Sequence, residues 1–303
     1  MRVVVGTRGS PLALAQTGTL LATLKRVYPQ IEFALREIKT QGDISKDAPL
    51  GTLPRGLFAK ELEQALLKGE IDLAVHSFKD LAAETTLGTQ IAAISAREDA
   101  RDVLVSRSYK SIESLPYGAR LGTSSVRRAA QLKAFRPDLE IVAIRGNVGT
   151  RVEKGLGGTL AGVVLAAAGM HRLGLEGRIA AYIDPALCLP EAGQGALAVQ
   201  VRAADHVHVD IARAVEDKTS CRCVNAEVEV VRDLGGGCTV PIGAYAQENA
   251  GEIWLRGVVA EPQGRELIRA ELRGRAAPEE LGRRLAEELR RLGGDRLLAG
   301  RVG

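Results

Sequence analysis

Aromatic side chains are scarce in this 303-residue chain: Phe, Trp and Tyr together make up 3% of it, with a single Trp. Few rings are available to stack nucleobases, which argues against a single-strand nucleic-acid binder, and the core must be built from Ala, Val, Leu and Ile. Cysteine is scarce as well. Four residues, Cys188, Cys221, Cys223 and Cys238, do not form a stapling framework in so long a chain, so reduced thiols are expected. No run free of Asp, Glu, Lys, Arg and His is longer than that from Gly155 to Met170, 16 residues broken by five glycines, which is too short for a bilayer span. The segment Met1-Arg2-Val3-Val4-Val5-Gly6 lacks the apolar stretch and cleavage site of a secretory signal. A cytoplasmic protein with no membrane partner is therefore expected. Neither sign of charge dominates: 41 basic against 37 acidic residues leave +4, which does not by itself announce a polyanion. What remains is 46% apolar residues, 34 glycines and enough chain for about two domains of roughly 150 residues.

The first half alternates strand-like and helical stretches. Val3-Val4-Val5 leads into Gly6-Thr7-Arg8-Gly9-Ser10 and then a helix with Ser10 as N-cap and Pro11 in its first turn. Ile31 to Ile38 alternates as a strand does, Gly56 to Lys68 reads as a helix, and Ile71 to Val75 as a short buried strand. That order argues for a parallel sheet covered on both faces. After the charged stretch Arg97 to Asp102 the pattern restarts. Arg120-Leu121 leads into Gly122-Thr123-Ser124-Ser125 and a helix over Val126 to Phe135, and Ile141 to Ile144 leads into Arg145 to Arg151. Gly122-Thr123 thus repeats the construction of Gly6-Thr7. From Asp205 the texture changes to a helical region reaching about Leu234, strands at Val240 to Ala246 and Ile253 to Ala260, and a closing helix near Pro278 to Leu292. The expected fold is α/β: two periplasmic-binding-protein-like α/β domains with a hinged cleft, the hinge near residues 95 to 101, plus a smaller C-terminal α+β domain. The expected boundaries are 1–96 with 196–214, 101–190, and 216–303.

Arg8, Arg127, Arg128, Arg145 and Arg151 lie in Gly, Ser or Thr loops or in the first helical turn after them, where backbone N–H groups are available. A solvated surface charge is the commoner reading of any single one, yet their repetition in two similar segments suggests an anion site, because guanidinium pairs two-pronged with carboxylate. Val75-His76-Ser77-Phe78-Lys79-Asp80 closes a predicted strand, the end at which parallel sheets place ligands. An ionised Asp80 there could stabilise a developing cation, or simply cap the next segment. His76 and Ser77 are not a nucleophile-base pair, since adjacent strand residues point to opposite faces. Gly235-Gly236-Gly237 before Cys238 reads as a mobile, open loop that lets a thiol reach outward, against the commoner buried inert thiol. Gly193-Gln194-Gly195-Ala196-Leu197-Ala198 fits the dinucleotide fingerprint only as a string, because it precedes a strand instead of following one. Cys221-Arg222-Cys223 and Asp205-His206-Val207-His208 lack partner pairs at zinc-site spacing, so no metal is expected.

Seven strings taken in order carry a resemblance: Gly6 to Pro11, Gly56 to Glu63, Val75 to Asp80, Gly122 to Arg128, Arg145 to Arg151, Gly193 to Gly195, and Gly237 to Gly243. Together they resemble the porphobilinogen deaminase (hydroxymethylbilane synthase) family. The resemblance implies a monomeric transferase of tetrapyrrole and heme biosynthesis that joins four porphobilinogen molecules head to tail, releases ammonia from each and frees linear hydroxymethylbilane by hydrolysis. It implies a dipyrromethane cofactor held by a thioether to Cys238. It implies Asp80, Arg8 and Arg151 as catalytic residues. Ser10, Lys79, Asp80, Ser125, Arg127, Arg128 and Arg145 would hold the cofactor, and Arg8, Arg145, Arg151, Arg172 and Gln194 the substrate.

The chain departs from the family pattern in three places. Leu81-Ala82-Ala83 replaces a common valine-proline step, so the turn that aims Asp80 is expected to be less rigid. Thr52 and Arg55 stand where lysines are frequent, and Gly155 to Ala161 lacks acidic residues common there. The competing expectation is a non-enzymatic carboxylate-binding protein of the solute-receptor type, which shares a hinged pair of α/β domains; a nucleic-acid partner is not expected.

Overall fold

The computed structural model describes residues 1–40, 59–82, 85–236 and 240–299. Within them the chain divides into two compact units, one made of 1–40, 59–98 and 195–221, the other of 99–194 and 222–299. Leu50 to Arg55 and Cys238, singled out above, lie outside the described residues.

The first unit is built on a five-stranded sheet. Strand β1 (Arg2–Arg8) pairs in parallel with β2 (Glu32–Ile38) on one side and β3 (Leu73–Ser77) on the other. Then comes β10 (Leu197–Arg202), antiparallel to both β3 and β4 (Thr89–Ile94), giving the order β2-β1-β3-β10-β4. Val3 and Val5 point into one cluster with Leu20, Leu24 and Val75, under helix α1 (Pro11–Val27). Val4 points the other way, to a cluster under α2 (Lys60–Leu67) that contains Leu62, Leu66 and Ile71. Both faces are therefore covered, as β-strand alternation requires of a sheet with helices on each side. Ser10 caps α1, accepting from Ala13 N–H at 3.2 Å, and Lys25 and Arg26 complement the dipole in its last turn.

The second unit repeats the plan. Strands β6 (Arg120–Gly122), β7 (Glu140–Val142) and β8 (Gly162–Ala166) are parallel, and β5 (Asp102–Val105) runs antiparallel to β8 and to β9 (Ala181–Ile183), in the order β7-β6-β8-β5-β9. In each sheet the three parallel strands lie in the order second, first, third. An antiparallel strand then sits in fourth place. In the second sheet that strand is the first after the chain leaves unit one; in the first sheet it is the strand made on return. Gly195, at the return, has φ +94°, and a Cβ there would sit 2.3 Å from the Glu98 carbonyl oxygen, so only glycine fits beside the outgoing chain.

Residues 222–299 add a smaller meander, β11 (Ile242–Asn249), β12 (Glu252–Ala260) and β13 (Leu267–Gly274), all antiparallel. Its inner face packs against α7 (Lys218–Asp233) and α8 (Pro278–Arg291) through Ala226, Val230, Leu255, Leu281, Leu285 and Leu289. The expectation of two sheet-and-helix α/β domains followed by a smaller sheet-and-helix portion matches this architecture. Among the described residues, no helix is long and apolar enough to cross a membrane.

Candidate functional site

In the first unit the candidates gather at the C-terminal ends of β1 and β3, the ligand-binding edge of a parallel sheet. Arg8 ends β1 and Ser10 begins α1, while Ser77 ends β3 and is followed by a single 3₁₀ turn over Phe78–Asp80. Because β1 and β3 are parallel neighbours, these ends lie together. They line one cavity, with space of about 50 Å³, whose wall contains Arg8, Ser10, Gln16, His76, Ser77 and Asp80. Asp80 is thus a member of the turn itself and part of the cavity wall. Lys79 precedes it in the same turn, half-buried.

The turn is anchored without a proline. The Phe78 N–H donates to Ala196 O at 3.0 Å, the Leu81 N–H closes on Phe78 O at 3.0 Å, and the Leu81 side chain is buried against Ala59 and Ala198. These contacts hold the turn at the place where the valine-proline step is absent. His76 and Ser77 do point to opposite faces: Ser77 Oγ and the Gln16 amide exchange hydrogen bonds of 2.8 and 2.9 Å, while His76 faces Gln200. Gln16 was not found by sequence reading; its place on the face of α1 that packs on β3 was the available signal.

In the second unit the candidates follow the three parallel strands in turn. After β6, Ser125 caps α3 (Val126–Phe135), with Arg127 and Arg128 in its first turn. After β7, Asn147 caps α4 (Val148–Leu156), which carries Arg151, and Arg145 lies in the loop before it. Following β8, α5 (Ala167–Arg172) ends in Arg172. Arg145, Arg151 and Arg172 are all half-buried. The Arg151 Nε donates to Gly146 O at 2.8 Å, which ties that guanidinium to the Arg145-Gly146 loop.

Arg127 and Arg128 are not surface charges; they are 3% and 6% exposed. Both turn inward onto Asp102, the first residue of β5. Arg127 Nη1 donates to Asp102 Oδ2 at 2.9 Å and to Leu189 O at 2.7 Å, and Arg128 Nη2 donates to Asp102 Oδ1 at 2.7 Å. Gln194 Nε2 reaches the same Oδ1 at 2.8 Å and Ala100 O at 2.7 Å. Burial opposes ionisation of Asp102, but the two guanidiniums outweigh it and hold the carboxyl far below the usual carboxylate range. Asp102 is a second residue that sequence reading missed, hidden in the charged stretch Arg97 to Asp102; its place directly before the apolar strand Val103-Leu104-Val105 was the signal.

Of the three glycines before Cys238, Gly235 and Gly236 are described, and each has a task in ending a helix; Gly237 lies outside the described residues. Gly235, φ +63°, ends α7: its N–H donates to Arg232 O at 3.0 Å and the Gly236 N–H to Val231 O at 2.8 Å, the paired bonds of a Schellman cap. A Cβ on Gly236 would lie 2.8 Å from Ile242 Cδ1. These two glycines stop a helix and allow close packing, so they are not an open loop.

Cys188 is buried against Asp102 and Arg127, and burial pushes its thiol up to about 12. It should resist iodoacetamide in the native protein at pH 8 and react only on unfolding, as peptide mapping of alkylated protein will show; labelling at a rate near that of a free thiol would contradict the burial. Among the described residues, no group of three or more His, Cys, Asp and Glu could hold a metal ion.

Residues 3–210 match the family model "Porphobilinogen deaminase, dipyromethane cofactor binding domain", and residues 221–291 match "Porphobilinogen deaminase, C-terminal domain". The chain belongs to the porphobilinogen deaminase family. Relatives named porphobilinogen deaminase include those of Desulforudis audaxviator, 47% identical over 299 residues, with 98% of this chain and 97% of that protein covered, and of Syntrophus aciditrophicus, 46% over 296 residues, with 97% of each covered. That of Thermus thermophilus is 46% identical over 301 residues, 98% of both chains. A periplasmic substrate-binding protein of a Coxiella burnetii ABC transporter overlays with a TM-score of 0.44 at 14% identity, covering 72% of this chain and 94% of that one. The activity is therefore that of a transferase, hydroxymethylbilane synthesis, and the cofactor is dipyrromethane; the solute-receptor alternative is not favoured.

The residues present suit that cofactor, whose rings carry acetate and propionate groups. Arg127 Nε and Nη2 and Arg128 Nε are buried donors with no hydrogen-bond partner among the described residues. Such atoms are costly unless an acceptor meets them.

Proposed function

We propose that the chain condenses four porphobilinogen molecules head to tail, losing ammonia from each, with Asp80 as the catalytic carboxylate. The observation that carries this reading is that Asp80 and Arg8 both line one cavity at the C-terminal edge of the first sheet. Loss of ammonia from porphobilinogen leaves an azafulvenium cation. A carboxylate set beside that carbon lowers the energy of the cation as it forms, and it can accept the proton given up when the ring-to-ring bond is complete. Arg8 and Arg151 are assigned to the carboxylates of the reacting ring, with Arg145, Arg172 and Gln194 holding further substrate carboxylates. Guanidinium forks fix both position and orientation, which converts the joining of two rings into a nearly intramolecular event.

Dipyrromethane, when bound, supplies the anchored pyrrole from which the chain of rings grows. Cys238 is assigned its thioether, and Ser10, Lys79, Asp80, Ser125, Arg127, Arg128 and Arg145 its polar contacts. The division into 1–96 with 196–214, 101–190, and 216–303 is proposed as the domain organisation, with Asp80 in the first, the arginine loops in the second and the cofactor cysteine in the third. A cytoplasmic monomer that binds neither nucleic acid nor membrane completes the proposal.

Incubation of the purified chain with porphobilinogen tests it. One ammonia released per porphobilinogen consumed, with a linear tetrapyrrole as product, is expected; saturable binding of porphobilinogen without consumption would contradict it.

A further inference from the structure

His76 is left without a task by the reaction above, although it sits in the cavity wall beside Arg8 and Asp80 and is only 6% exposed. Its hydrogen-bond state can be deduced from its neighbours. In the antiparallel pair β3–β10, His76 is opposite Ala198 and Gln200 is opposite Ala74, so His76 and Gln200 are diagonal neighbours on one face of the sheet. The Gln200 amide has one possible orientation. Its Nε2 donates to Glu63 Oε1 at 3.0 Å and to Thr89 Oγ1 at 2.8 Å. The Thr89 hydroxyl spends its own hydrogen on Thr86 O at 2.7 Å, and Glu63 Oε2 accepts from Thr86 Oγ1 at 2.7 Å. Flipping the amide would set its carbonyl oxygen against a carboxylate, which only accepts.

Gln200 Oε1 is therefore the end left over, on the side chain diagonal to His76. Gln200 Oε1 and His76 Nε2 are both buried, and neither has a hydrogen-bond partner among the described residues, so an acceptor and a ring nitrogen on adjacent side chains are both left over. A carbonyl oxygen only accepts, so of these two left-over atoms Nε2 is the one that can serve as donor, which assigns it the proton and leaves Nδ1 bare. Burial pushes the imidazole down to about 4; Glu63 and the Gln200 side chain favour the charged form, and Arg8 opposes it. The ring is thus uncharged in the neutral range. That matters beside Asp80, whose negative charge a protonated imidazole would compensate.

We propose that His76 is a specificity-determining residue of the Asp80 cavity: locked as the Nε2–H tautomer by the Glu63–Gln200 pair, it offers its bare Nδ1 as acceptor to an N–H donor of porphobilinogen. The substrate carries two kinds of such donor, the pyrrole N–H and the aminomethyl ammonium. The inference rests on reading this cavity as the place of reaction.

The chain has only four histidines, so ¹⁵N-histidine NMR of the holoenzyme resolves each, with His76→Asn identifying the resonances of His76. The expected result is an Nε2–H tautomer unchanged between pH 6 and 8.5, and an Nδ1 resonance that shifts when porphobilinogen is added. In steady-state assays His76→Leu should raise KM about tenfold with kcat within about threefold, the loss of roughly one hydrogen bond. His76→Asn, which keeps an acceptor near the δ position, should recover most of it. An Nδ1–H tautomer, an Nδ1 resonance unmoved by substrate, or equal KM values for His76→Leu and His76→Asn would overturn the proposal. The NMR arm decides by itself should His76→Leu fail to fold. Asp80→Ala in the same assay separates the two readings: retained turnover sinks the cavity assignment, whereas a dead Asp80→Ala with an unmoved Nδ1 sinks only the role of His76.

Discussion

Asp80→Ala is expected to lower porphobilinogen turnover by about 10³-fold or more while leaving the covalent cofactor attached. The magnitude follows from two losses at one atom group. Removing a charge that faces a cation formed in the transition state typically costs about 10²–10³ in rate, and removing a positioned proton acceptor about 10²–10⁴; the two are not additive because one carboxylate serves both. Substitution series refine the point. Asp80→Asn keeps the shape and the 3₁₀ turn but not the charge, so it should be nearly as poor as alanine. Asp80→Glu keeps the charge at a shifted position and should retain more activity than either. Intact mass read in parallel distinguishes a chemical defect from a loading defect. Asparagine performing like aspartate would show that the charge is not what matters.

The second large effect concerns Asp102. This carboxylate is fully buried and accepts hydrogen bonds from Arg127, Arg128 and Gln194. Deleting one member of such a cluster leaves charges uncompensated in the interior, and the cost is about 3–5 kcal/mol. Asp102→Ala should therefore lower the free energy of urea unfolding by that amount, and Asp102→Asn by a large part of it, because an amide donor must face one of the guanidiniums. The pH dependence has a definite sign. The folded carboxyl is depressed well below its unfolded value of roughly 3.9, so the stabilisation is complete above that value and fades as pH falls below it. The gap between wild type and Asp102→Asn should be largest near pH 7 and narrow toward pH 3. A gap that does not change with pH would mean that Asp102 is not ionised in the folded protein.

Much of this organisation could be read from local chemistry. The helix expected over Val126 to Phe135 has those bounds, since Ser125 as N-cap and an apolar face beyond it are local signals. The strand, small-residue loop and helix at Gly6-Thr7 and again at Gly122-Thr123 belong to the first of the three parallel strands in two sheets where those three strands lie in the same order. What sequence could not supply was the direction in which a side chain turns. Arg127 and Arg128 look like exposed charges at a helix start, and only the buried Asp102, about 25 residues earlier in a different strand, turns them inward. Strand β13 was missed for a related reason. Its Arg269, Glu271 and Arg273 alternate with Ile268, Ala270 and Leu272, and that alternation becomes meaningful only because the apolar three have a cluster to pack against. The three glycines before Cys238 suggested mobility, yet the helix stop at Gly235 depends on a positive φ that composition does not reveal.

The most direct test of the central claim, a synthase that carries its own dipyrromethane on one cysteine, is the intact mass of the purified chain followed by peptide mapping. The account predicts two pyrrole units on the peptide that contains Cys238, absent from Cys238→Ala and unchanged in variants of Cys188, Cys221 and Cys223. An unmodified chain from cells supplied with porphobilinogen, or pyrrole units on any other cysteine, would contradict it.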